Sequence, residues 1–204
     1  MKRKIIVGLS EDVDDLPELS EMERKVTEAS ITEATFDDIL IFSGSCFPPN
    51  TKPESRYMEE YARTIGYTGK IYLEENSLDT GLQIFNSLVK YVFPLEIIRV
   101  MWVATDFHIP EVAVWSDMIV NGSLITEFLS VPHPEPISIK NPERDYWRFL
   151  GNKTEKIIKF SEQWQKIERG NLQAFYKFFT EQHSLYNKPE TRHLVEPVGF
   201  IDRR

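Results

Sequence analysis

Short β-branched runs without polar alternation restrict the fold of this chain more than any other feature. Lys4–Leu9 (KIIVGL), Asp38–Ser43 (DILIFS) and Ile97–Thr105 (IIRVMWVAT) read as buried strands, and the last and longest is expected at the sheet centre. Lys70–Leu73 adds a short strand and Ile125–Val131 a fifth. Between them apolar residues recur at helical spacing. Leu19, Met22, Val26 and Ala29 predict a helix over 19–32, and Met58, Tyr61, Ala62 and Ile65 another from Pro53 to Gly66. Leu82, Phe85, Leu88, Val89 and Val92 predict a third over 79–93, and a fourth runs from Pro110 to Val120 and ends at Asn121-Gly122. Strands alternating with such helices imply an α/β fold: a Rossmann-like three-layer sandwich around a mostly parallel sheet of about five strands.

The 204 residues suit one domain, and their charge is unevenly divided. Residues 1–139 hold 11 Lys/Arg against 23 Asp/Glu, and residues 140–204 hold 13 against 9. The change falls at Pro132-His133-Pro134-Glu135-Pro136, a stiff connector. The expectation is an acidic Rossmann-like core over 1–139 and a helical extension over 140–204 packed on it, together one structural domain. Helices are expected over 142–150, 154–168 and 172–183, with Phe175, Phe178 and Phe179 on a core stripe and a surface for a homo-oligomer. The tail from Tyr186 is expected to be irregular and to wrap the core or a neighbouring subunit.

A formal charge of −8 argues against a nucleic-acid partner, and the basic extension carries no recognised binding module. No apolar stretch approaches the length of about 18 residues that a membrane span needs. The basic start Met1–Lys4 precedes too short an apolar run for a signal peptide, and one cysteine, Cys46, excludes an internal disulfide or a Cys-based zinc site. These limits together predict a cytoplasmic protein.

In an open parallel sheet, ligands bind outside the carboxyl ends of the strands. The segments expected there are Gly8-Leu9-Ser10, Ser43-Gly44-Ser45, Glu74-Glu75-Asn76-Ser77 and Thr105-Asp106-Phe107-His108. Ser43, Gly44 and Ser45 could offer amides and hydroxyls to an anion, or form a plain turn. Ser77, Asp79 and Thr80 bracket a helix start, where capping competes with ligand contact. His108 suits proton transfer, with Asp106 to orient it, or a structural hydrogen bond. A Ser43–His108–Asp106 triad can be drawn, but no Gly-x-Ser-x-Gly elbow supports it. A metal site from Glu74, Asp106 and His108 lacks any ligand-spacing motif, and none is expected. His133, His183 and His193 suit surface or packing roles.

The ordered set Gly8, Arg24, Ser43-Gly44, Glu54 with Met58, Glu74-x-x-Ser77-x-x-Thr80 and Thr105-x-x-His108 resembles the SanA/ElyC/YdcF family, over about residues 4–130 and nearest the soluble YdcF branch. The family's second glycine is here Ser45, its Glu-Asn pair is Leu82-Gln83, and the arginine after its histidine is Glu111. The resemblance implies a Rossmann-like domain that binds a small molecule at the strand ends. S-adenosylmethionine, another nucleotide or a phosphorylated compound would be the ligand. Catalytic roles would fall to His108 and Asp106. Ligand contacts would come from Gly8, Ser43, Gly44, Ser45, Glu54, Glu74, Ser77, Thr80 and Thr105. The departures also fit a degenerate site in a protein that keeps the fold for interaction or regulation.

Overall fold

The computed structural model describes residues 3–10, 19–45, 52–106, 108–132, 166–183 and 185–197. The helix expected over 142–150, most of that over 154–168, the connector after Pro132, Cys46 and His133 lie outside them. Five strands, β1 (Ile5–Leu9), β2 (Ile39–Ser43), β3 (Lys70–Glu74), β4 (Arg99–Thr105) and β5 (Ile125–Val131), form one sheet in the order β3-β2-β1-β4-β5. Every pairing is parallel, with Val7 opposite Ile41 on one side and Trp102 on the other. The fold is thus the expected three-layer Rossmann-like α/β sandwich. One position differs. The centre is β1, not β4, because the chain steps outward to β2 and β3 and then crosses back to lay β4 on the other side of β1. Both β1 and β4 are interior strands, and continuous apolarity reports only that.

The helices among the described residues are α1 (Glu21–Glu33), α2 (Glu54–Thr64), α3 (Thr80–Ser87) continued by a π-helical turn (Leu88–Val92), α4 (Ile109–Val120) and α5 (Leu172–Glu181), with a 3-10 turn at Arg192–Leu194. The third and its π-helical turn together span 80–92, close to the 79–93 expected, with the last turn widened. Side chains alternate across the strands. Ile6, Leu40, Phe42 and Val103 pack against Val26 of α1 and Met58 and Ala62 of α2. Ile5, Val7, Ile39, Ile41, Val100 and Trp102 face α3, α4 and α5. Right-handed crossovers require this division, because the path reverses direction at β3.

Local chemistry supports each element. Ser20 and Glu23 close a capping box on α1, and Asp79 caps α3 by accepting from Leu82 N–H at 3.0 Å. Helix α4 ends where Asn121 and Gly122 both adopt positive φ. Phe175 and Phe179 of α5 are fully buried, and Phe179 packs on Phe85 and Trp115 with ring centroids 5.4 and 5.7 Å away. Burying each such ring contributes on the order of 1.5–3 kcal/mol, so α5 belongs to the core. The following segment folds back as expected of the tail: Tyr186 is buried, and its hydroxyl accepts from Leu78 N–H at 2.9 Å.

Candidate functional site at the carboxyl edge of the sheet

Strand order reverses between β1 and β4, and the residues leaving the strands at that edge are small or polar. Ser10 follows β1, Gly44 follows β2, Glu74 ends β3, and Asp106 follows β4. Helix α3 begins above them and is buried on every side. Three of its polar residues, Thr80, Gln83 and Asn86, are spaced three apart and share one face turned to this edge.

Glu74 is fully buried, and its carboxylate is held entirely from within. Ser43 Oγ donates to Oε2 at 2.7 Å; Asn76 N–H and Asn86 Nδ2 donate to Oε1 at 2.9 and 3.3 Å, and Ser77 adds a side-chain bond. Burial raises the Glu74 pKa above the ordinary carboxylate range, and these hydrogen bonds offset part of the rise. Ser43, Glu74 and Ser77 are thus one buried network, with Asn86 as its hub.

Beside it, Gln83 Nε2 donates to Ser10 O at 3.3 Å, Ser10 Oγ at 3.1 Å and Ser43 O at 3.3 Å, stitching the exits of β1 and β2 together. The two carbonyl acceptors define which end of the amide is nitrogen. Its Oε1 is buried and meets no hydrogen-bond partner among the described residues. Thr80 Oγ1 lies 2.6 Å from His108 Nε2, tying the start of α3 to the residue that precedes α4. His108 is 3% exposed, whereas Asp106 is exposed and donates its backbone N–H to Val131 O at 2.9 Å.

Several sequence expectations change here. Gly44 N–H donates to Glu74 O at 3.0 Å and Ser45 N–H to Ser77 O at 3.1 Å, so neither amide is offered to an anion. Gly44 is required by a different neighbour: a Cβ there would stand 1.8 Å from Ser10 Oγ. Glu54 opens α2, donates its N–H to Ser45 O at 3.1 Å and brings Oε2 close to Gly44. Gly8 lies inside β1, where a Cβ would press on Phe42 and Ser30 at 3.0 Å, so it serves the close approach of α1. Thr105 is buried at the end of β4, and its carbonyl accepts from His108 N–H at 3.0 Å. Because Ser43 gives its proton to Glu74, the Ser43–His108–Asp106 triad is not assembled. No group of three His, Cys, Asp or Glu among the described residues could hold a metal ion. His183 is a packing residue among Phe178, Phe179 and Tyr186, and burial lowers its pKa although Asp79 partly opposes this. Exposed His193 lies outside this cluster.

Asn86 is the member that the sequence reading missed; Ser10 was expected at this edge without a stated role, and Gln83 stood out only as a departure from the family's Glu-Asn pair. The signal for Asn86 was the recurrence of Thr80, Gln83 and Asn86 at helical spacing. No helix among the described residues is long and apolar enough to cross a membrane. No family model matches the chain, and no curated protein or solved structure does either.

Proposed function

We propose that this protein binds a small polar ligand beside the β1–β4 switch point, with His108 as its acid–base group. The observation that carries the reading is the Thr80–His108 pair next to the Gln83–Ser10 stitch, where the strand order reverses. Buried polar side chains from the exit of β1, from α3 and from the β4–α4 junction converge there, with Thr80 and Gln83 carried on the buried helix α3.

The chemistry of the edge favours one of the ligand classes that the YdcF-like resemblance implies. The Gly44 and Ser45 amides are engaged, α1 and α3 are capped by their own side chains, and the first amides of α2 bond to Ser45 and Gly44. Arg56 pairs with Glu75, and Lys52 with Glu60. Carboxylates and hydroxyls dominate, which suits a hydroxylated or cationic ligand such as a nucleoside or a sulfonium compound of the S-adenosylmethionine kind over a phosphorylated one. A thermal-shift panel of nucleosides, S-adenosylmethionine, nucleotides and sugar phosphates tests this. A ligand at a hundredfold its Kd stabilises by about 2.7 kcal/mol, and His108→Ala should lose that shift. A full shift retained in His108→Ala would remove His108 from the site.

A second reading, a catalytically degenerate interaction or regulatory protein, draws on the closure of the Glu74 network by the C-terminal tail through Asn86. It expects no shift from any member of the panel.

A further inference from the structure

Far from that edge, at the amino ends of the strands, Phe36 is 97% exposed. It sits at the tip of a turn whose Asp38 N–H donates to Thr35 O at 3.1 Å. Asp38 Oδ2 accepts from the Thr35 N–H and hydroxyl at 2.9 and 2.8 Å, and Oδ1 accepts from Lys4 N–H at 2.9 Å. The ring is therefore presented to solvent by a turn fastened to the start of β1, not by a loose loop. Beside it opens a cleft of about 390 Å³ lined by Arg3, Phe36, Asp37, Asp38 and Lys70. Asp38 is engaged by the turn. Arg3, Asp37 and Lys70 make no ion pair with any described residue, and Lys70 Nζ rests 4.6 Å from the Tyr72 ring centroid.

This patch holds an aromatic knob beside a cleft, and an anion beside two cations. An isologous two-fold contact demands a surface that complements itself, and adjacent opposites of shape and charge satisfy that demand. An acidic peptide or an anionic membrane would match Arg3 and Lys70 but would oppose Asp37. We propose that this face binds a second copy of the chain, with Phe36 of each copy entering the other's cleft and Asp37 of each meeting the other's Arg3 and Lys70. The patch is small, so the dimer is weak and concentration-dependent.

Sedimentation equilibrium across a concentration series should show the 23.9 kDa chain passing to twice that mass. Phe36→Ser should weaken association at least tenfold with unchanged circular dichroism and melting temperature, because the side chain is exposed. Asp37→Lys alone, and Arg3→Asp with Lys70→Asp, should each remain monomeric through like-charge opposition. An equimolar mixture of the two variants should form a heterodimer, since both reciprocal contacts are restored. A chain that stays monomeric at every attainable concentration would overturn the proposal. So would a dimer indifferent to Phe36→Ser, which would then be built on another face, and so would charge-exchanged variants that fail to pair when mixed.

Discussion

Asn86 holds the backbone of Glu196 across 110 residues of chain: Glu196 N–H donates to Asn86 Oδ1 at 3.0 Å. The same amide gives Nδ2 to Leu194 O at 3.0 Å and to Glu74 Oε1 at 3.3 Å, so one side chain joins α3, the end of β3 and the C-terminal tail. Replacing it with alanine strips partners from a buried carboxyl and from the tail backbone together. Asn86→Ala should cost about 2–4 kcal/mol in urea unfolding, with the Glu196 amide exchanging faster in deuterium while amides of β1 stay protected. Unchanged stability would mean that the tail is not a strap.

Glu74 should make stability depend on pH with an unusual sign for a carboxyl. Burial raises its folded-state pKa, so the folded protein holds this proton more tightly than the unfolded chain. The contribution is fully present below the unfolded pKa and disappears as pH rises through the raised folded value. Glu74→Gln cannot ionise, so its unfolding free energy should vary less than the parent's over that window. A parallel pair of pH profiles would show that Glu74 is not the titrating group.

Asp38 carries the opposite sign. Burial pushes its pKa up, but hydrogen bonds from Lys4 N–H and from the Thr35 N–H and hydroxyl outweigh that, leaving it below the ordinary value of 3.8. Its contribution is present above the unfolded pKa and is lost as pH falls through the depressed folded one. Asp38→Asn should flatten the acid limb of the stability profile and leave the neutral region parallel to the parent.

Gly44 and Ser10 form a close-packed pair that a mutant cycle can isolate. An alanine Cβ at residue 44 would lie 1.8 Å from Ser10 Oγ and 2.6 Å from Ser10 Cβ. Gly44→Ala should therefore destabilise by about 1–3 kcal/mol. Ser10→Gly in the same chain removes both atoms and should recover part of that loss, measured as a positive coupling in denaturant unfolding. Additive effects would sink the claim that Ser10 is what requires the glycine.

Elements that depend on near neighbours along the chain are legible in the amino-acid sequence. Ile5–Leu9 and Ile39–Ser43 are buried along their whole length as their runs imply, and Asn121-Gly122 ends α4 where the left-handed conformation is needed. The location of the candidate site follows too, because the parallel topology sends Ser10, Gly44, Glu74 and His108 to one edge. The roles of those residues do not follow. Ser43-Gly44-Ser45 has the composition of an anion cradle, yet the Gly44 and Ser45 amides bond to Glu74 and Ser77 carbonyls contributed by the next strand and its exit. Composition lists donors, and only packing says which acceptors reach them first.

The sequence by itself determined the strand–helix alternation, the apolar faces and the helix ends, since these rest on periodicity and on the backbone preferences of Gly, Pro, Asn and Ser. Only the tertiary structure decided that β1 is the sheet centre, that Glu74 is enclosed and that Asn86 clasps a tail more than a hundred residues away. Hydrogen-bond pairing and desolvation depend on distances between segments far apart in the chain, and no local pattern encodes those distances.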